Sequence, residues 1–318
     1  MRRAPAQRGA ALLLAMMILT LVATLASGMV WQQSRSIQVE AAERARVQSA
    51  WILNGALDWA RLILREDARS GGADHLGEPW ATPLAEARLS TFLAADRDNN
   101  ADGGPEAFLS GSIVDAQSRY NLRNLVDGEG KPVAAELKAF ARLCDAAGLP
   151  SDTATRVAEG LRTAWAPPKP DDAGASAIAP HRVDQLGWIG IDAATRGRLE
   201  PYVVLLPVRT AVNVNTAGRE VLLAAFDDLD LATAERLLQM RQRQPFRNLD
   251  EVRGQLPPGV KAEESRVDVK SRFFDILGRL RLDDRALEEH SLVERRGDRG
   301  LDVVTITRER RNVLSPAS

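Results

Sequence analysis

The N-terminus constrains this chain more than any other part of it. A short basic leader, carrying Arg2, Arg3 and Arg8 and no acid, runs into 21 uncharged residues from Ala10 to Val30. At a rise of ~1.5 Å per residue such a stretch makes a helix of ~32 Å, about the thickness of a bilayer's hydrocarbon core. The positive-inside bias places the leader in the cytoplasm and everything after Val30 across the membrane. A secretory signal peptide is the alternative, with Ala26 and Gly28 as the small residues of a cleavage site. Against it stands Gly9, between the last leader charge and the first apolar residue, where a cut before Ala10 leaves the helix on the mature chain.

Behind the anchor there is material for a folded body. The chain has 318 residues, 45% of them hydrophobic and 27% charged, proportions that allow more than one packed domain and carry no sign of long disorder. The single cysteine, Cys144, cannot form an intramolecular disulfide, so the fold rests on core packing and Cys144 is expected inside as a small apolar residue.

The junction Arg8-Gly9-Ala10 followed by an apolar helix resembles the type IV prepilin family, whose leaders are removed by a membrane peptidase that cuts after the glycine and methylates the new amine. The resemblance assigns cleavage between Gly9 and Ala10 and N-methylation of Ala10. Most members carry a glutamate at the fifth mature residue; here that position is Leu14, and no acid precedes Glu40. A carboxylate in lipid is costly unless paired, and in such filaments it is thought to neutralise the amine of the subunit ahead. A subunit with nothing ahead of it has no use for one. Leu14 therefore implies a place at a filament tip, and the chain resembles the K-type minor pseudopilin family of type II secretion, the members that lack this glutamate.

The rest of the sequence is consistent with that resemblance. Ile37, Ala41, Ala45, Gln48, Ile52, Ala56, Trp59 and Ile63 recur at spacings of three or four, which predicts that the anchor continues as one helix, buried on that face, to about Arg65. From Ser70 to Gly104 the composition is that of loops, and Gly111–Asp115 reads as a strand. Within the loops, Asp98, Asn100 and Asp102 with Gly103 match the first half of a calcium loop, but Leu109 stands where a bidentate glutamate belongs, so a solvated Asx-rich turn is the other reading. Asp115–Leu125 opens a helical region, Val133, Leu137, Phe140 and Cys144 repeat at helical spacing up to the stop at Gly148-Leu149-Pro150, and a second helix follows Asp152. In K-type proteins an acidic loop associated with calcium follows; here only Asp171 and Asp172 remain of it.

Val183–Gly190 and Phe246–Gly254 share a hydrophobic-Asp-x-hydrophobic pattern, and between them Asn213, Asn215 and Thr216 lead from a strand into a helix capped by Asn215 or Thr216. This run resembles helix-hairpin-helix proteins, which makes a membrane-tethered DNA-binding or uptake protein the rival reading. The hairpin turn, Phe226-Asp227-Asp228-Leu229-Asp230, presents three acids where phosphate docks, and Val203–Ser318 carries 20 Arg and Lys against 19 Asp and Glu, a net of +1. Nucleic acid is not expected. Beyond Pro257-Pro258 the pattern alternates, and Arg266–Lys270, Phe273–Leu282, Leu287–Arg295 and Leu301–Arg308 read as three or four antiparallel strands. His75, His181 and His290 are far apart, and neither a metalloprotease motif, a Gly-x-Ser-x-Gly elbow nor a phosphate loop occurs, so no enzyme is expected.

The expected fold is α+β, with a pilin-like long N-terminal helix packed on an antiparallel sheet and an inserted all-α helix-hairpin-helix-like domain. The expected domains are a leader at 1–9, transmembrane spine at 10–30, periplasmic spine at 31–65, an α+β body from 66–114 and 265–318, and an insertion at 115–264. The resemblance implies a minor pseudopilin assembling with I-, J- and H-type minor pseudopilins at the tip of the periplasmic pseudopilus, initiating or capping it. It further implies the major pseudopilin, the prepilin peptidase and the assembly platform of the inner membrane as partners. No cofactor is required, with calcium at Asp98, Asn100 and Asp102 the single candidate.

Overall fold

The computed structural model describes residues 8–89, 107–166, 178–282, 285–297 and 300–314. The chain divides into two compact units, residues 1–55 and 56–318. Helix α1 (Arg8–Ser70) is one helix of 63 residues, five longer than the sequence pattern suggests at its C-terminal end. In the first unit the apolar side chains from Leu12 to Val30 are exposed, as a lipid-facing helix requires.

In the second unit five antiparallel strands form a sheet in the order β1-β2-β7-β8-β9, made of β1 (Leu84–Arg88), β2 (Ala107–Asp115), β7 (Phe273–Leu282), β8 (Arg285–Arg296) and β9 (Asp302–Leu314). The last three follow one another as antiparallel neighbours, as the alternation predicts. Strand β1 was hidden in loop-like composition. Alternation puts Ile113, Phe274, Ile276, Val293 and Val303 on one face, where they bury Leu57, Ala60 and Leu64 of α1 together with Trp80. The trio 57-60-64 keeps one helical face on the sheet. That face is rotated from the one the sequence periodicity marks, because Trp59 stays 51% exposed and Ile37 60%. The strands cross closely at Gly111, where a Cβ would lie 2.6 Å from the carbonyl oxygen of Leu277.

The chain leaves the sheet at Asp115 and returns at Phe273, and everything between forms the helical domain. It contains α2 (Ala134–Ala146), α3 (Thr153–Trp165), α4 (Ala193–Leu199), α5 (Arg219–Ala225), α6 (Leu231–Arg243) and α7 (Leu249–Arg253). Two short parallel pairs knit it together, β3 (Tyr120–Asn121) with β4 (Val203–Val204), and β5 (Val212–Asn213) with β6 (Val267–Asp268). The domain is thus not purely helical. The fourth predicted strand, β6, belongs here and not to the main sheet, because it pairs in parallel with β5. Asp115–Leu125 is likewise two 3-10 turns around β3 and not an α-helix: the Asp115 and Asn121 carboxyl and amide oxygens accept from the backbone two residues ahead, which closes Asx turns in place of a helical turn. The core gathers Tyr120, Phe140, Leu161, Leu186, Leu222, Phe226 and Leu237. Cys144 packs in it, and burial pushes its thiol up to about 12, the behaviour of an inert core residue.

Candidate functional site

The expected cleavage site, between Gly9 and Ala10, falls at the start of α1. Ala10 is exposed, and Leu14, 62% exposed, sits in the apolar stretch without a carboxylate near it in sequence. Trp31 follows at the end of the stretch with the Arg35 guanidinium 5.8 Å from its ring, an aromatic–cationic pair one turn apart of the kind found at membrane–water boundaries.

Asp98, Asn100 and Asp102 lie outside the described residues, as do Gly103, Asp171 and Asp172. Leu109, which occupies the place of the twelfth calcium-loop ligand, is a buried residue of β2.

Asn213, Asn215 and Thr216 are brought together, but as the buried joint between the helical domain and the sheet. Asn213 Nδ2 lies 3.0 Å from Asp115 Oδ2, 3.0 Å from Ser271 Oγ and 3.1 Å from the Asp74 carbonyl oxygen. Thr216 Oγ1 donates to Asp115 Oδ2 at 2.6 Å. Asn215 is bound in both directions to the backbone of Phe246, at 2.9 Å each, which ties the α5 lead-in to the start of the α7 segment. Neither Asn215 nor Thr216 caps α5; the cap is Gly218, since Asn213, Asn215 and Thr216 spend their side chains on the joint.

The acidic hairpin between α5 and α6 is equally committed. Asp227 pairs with Arg142 at 2.6 Å and with buried Arg266 at 3.0 Å. Asp228 takes the left-handed backbone conformation that turns the chain, at φ 59°, and Asp230 caps α6 by accepting from Thr233 N at 2.8 Å. The Arg266 guanidinium beside Asp227 holds its carboxyl below the usual range. With Asp227 neutralised by two arginines, Asp228 and Asp230 still present negative charge to an approaching phosphate, so the geometry argues against nucleic acid.

A second cluster was not legible in the sequence. Asp67 near the end of α1, Asp74 in the following loop and Glu78 before Trp80 bring one carboxylate oxygen each within 4.8 Å of one another. Arg295 of β8 lies between Asp67 and Asp74 and binds both, with its guanidinium 4.4 Å from the Phe274 ring. Glu78 accepts from the Trp80 indole at 2.7 Å and from His75 N at 2.9 Å. Burial raises the Asp74 carboxyl and pushes Glu78 up to about 7. Arg295 supplies the positive charge for Asp67 and Asp74, and through it the cluster acts as an ionic clamp holding the end of α1 to the sheet. On the far face, Arg182 binds Glu309 and Arg119 binds Asp275, bridging the helical domain to β9 and β7 across a cleft of about 690 Å³.

These features define a class: a membrane-anchorable, pilin-like α+β protein whose sheet carries an inserted helical domain. Family models described as type II secretion system (T2SS), protein K, match residues 118–208 and 212–270, most of that insertion. Similar along nearly the full length is the type II secretion system protein K of Dickeya chrysanthemi, 30% identical, covering 91% of this chain and 94% of that one. That of Klebsiella pneumoniae is 31% identical, covering 74% and 75%, and that of Pseudomonas aeruginosa 27%, covering 88% and 86%. A chain in the crystal structure of the GspK–GspI–GspJ complex from the enterotoxigenic Escherichia coli type 2 secretion system shares the fold, with a TM-score of 0.65 at 20% identity, covering 85% of this chain and 98% of that one. The chain belongs to the type II secretion system protein K family.

Proposed function

We propose that this minor pseudopilin is cleaved between Gly9 and Ala10, methylated at Ala10, held in the inner membrane by Ala10–Val30 with its bulk in the periplasm, and assembled at the tip of the pseudopilus. It works by assembly and not by catalysis. Its first partners are I- and J-type minor pseudopilins, a reading supported by the solved complex in which a chain of the same fold occurs with GspI and GspJ. The H-type and major pseudopilins, the prepilin peptidase and the assembly platform follow from the same assignment. The spine helix supplies the contact, with Trp59 and Leu62 left exposed on α1 beside the sheet-facing trio. The inserted domain is the bulk that stops addition above it. Calcium at Asp98, Asn100 and Asp102 is not required for this role.

The observation that carries the tip assignment is Leu14. A subunit at the tip has no amine ahead of it, whereas its own Ala10 amine remains for the glutamate of the next subunit, an ion pair formed where water is absent. The test is Leu14→Glu in a complemented secretion strain. Buried without a partner, that carboxylate should lower exoprotein export while processing and membrane insertion stay intact. Undiminished export would contradict the assignment.

A further inference from the structure

The inserted domain joins the sheet at two chain crossings, Asp115 on the way in and Ser271 on the way out, and one buried carboxylate ties both together. Asp115 is 1% exposed. Its Oδ1 accepts from Gln117 N at 2.8 Å, and its Oδ2 accepts from Ser271 Oγ at 2.7 Å, Thr216 Oγ1 at 2.6 Å and Asn213 Nδ2 at 3.0 Å. The donors come from the entering turn, the leaving segment and the middle of the inserted domain. The node extends to Asp74, which takes Ser271 N at 2.7 Å, and through it to Arg295.

We propose that Asp115 is a proton-operated pin at this joint: the inserted domain is held most firmly when the carboxyl is protonated, and the joint slackens as it ionises. All four donors are neutral, so the charge of the ionised form is met by hydrogen bonds alone and by no opposite charge. The cation of the node, Arg295, is bound to Asp67 and Asp74 instead. Of the other charged groups on the elements around the joint, Arg119 is bound to Asp275 of β7, Arg272 to Glu294 of β8 and Arg266 to Asp227, Asp268 of β6 accepts from Val269 N, and Lys270 is exposed to solvent. Asp74 adds negative charge close by. Burial outweighs the hydrogen bonds and pushes Asp115 from 3.8 up to about 6. A carboxyl raised in the closed joint and ordinary in the open one favours closure below about 6 and loses that advantage as pH rises through it. The proton fits on Oδ2: the Thr216 hydroxyl turns to accept from it and passes its own hydrogen to the Asn213 carbonyl oxygen, 3.4 Å away.

The test is hydrogen exchange on the full chain in detergent, followed at the joint amides of Val212 and Val214, which bond to Arg266 O and Asp268 O. After correction for intrinsic rates, protection should be on the order of tenfold greater at pH 5 than at pH 7.5, the linkage of a carboxyl shifted from 3.8 to about 6. Asp115→Asn, which keeps the shape and cannot ionise, should remove most of that gain. Ser271→Ala, which takes one donor from the charged form and leaves Thr216 to accept from the neutral one, should steepen it. Equal or lower protection at pH 5 in the natural chain, or a full gain surviving in Asp115→Asn, overturns the proposal. If Asp115→Asn does not fold, an unchanged or shallower dependence in Ser271→Ala does so.

Discussion

Arg295 shows how one side chain can hold an architecture together. The side chain is 7% exposed, bound to Asp67 of α1 and Asp74 of the loop after it, with its guanidinium 4.4 Å from the Phe274 ring of the sheet. Removing one member of a buried ionic group leaves the others uncompensated, at a cost of ~3–5 kcal/mol. Arg295→Ala should therefore lower the denaturant midpoint by about that equivalent, with Asp67 and Asp74 left facing each other. Arg295→Met, which restores the packing on Phe274 without the charge, should recover little. The opposite case is Trp59. Half exposed on α1, it contributes little to the folded monomer, so Trp59→Ala should leave the melting temperature within ~1 °C while weakening co-purification of partner pseudopilins. A large loss of monomer stability would show that the ring packs within this chain and not against another.

Among the elements, the α5–α6 hairpin makes the difference between this family and nucleic-acid hairpins measurable. Asp230→Ala removes the cap of α6 and should cost ~1 kcal/mol, read from chemical denaturation. Asp228→Gly relieves the left-handed backbone and should stabilise by ~1 kcal/mol, and it should confer no DNA binding, because Asp227 and Asp230 still line the turn. The elements also show what the sequence could and could not convey. The end of the insertion's first helix at Gly148 and strands β7 to β9 were legible, because a stop signal and strict alternation are local signals. β1 was not, since Leu84-Ala-Glu-Ala-Arg88 is an edge strand of mixed composition whose strand character comes only from pairing with β2. The α1 burial face was misread for a related reason. Periodicity reports which positions are apolar, and on this helix apolar positions serve two surfaces, one facing the sheet and one left open. The Asp67–Asp74–Glu78–Arg295 clamp was invisible because Arg295 lies more than two hundred residues from its partners. Asn213, Asn215 and Thr216 were found as a motif, but their chemistry depends on Asp115 and Ser271, which only the fold brings to them.

For the whole molecule, titration sets a window of stability. Glu78, Asp74 and Asp115 are raised by burial, so their ionised forms weigh against the fold and stability declines as pH rises through about 6 to 7. Asp184, Asp192, Asp227 and Asp230 are lowered, the first by the Arg182 side chain and the second by the Thr195 hydroxyl, and the stability they supply is lost only as pH falls below the ordinary carboxylate range. The melting temperature should therefore be higher near pH 5.5 than at 7.5, and Glu78→Gln should narrow the difference. A chain with its maximum at 7.5 or above would mean that these buried carboxyls are better compensated than their surroundings indicate.

The account as a whole turns on a spine helix that starts at a processed glycine. The most direct test is the N-terminal mass of the membrane-extracted chain from cells with and without the prepilin peptidase. A chain beginning at methylated Ala10, and retaining its leader when the peptidase is absent, is the predicted result. A chain beginning at Met1 in both strains, or near Met29, would contradict it, the first by showing a plain anchor and the second a cleaved secretory signal.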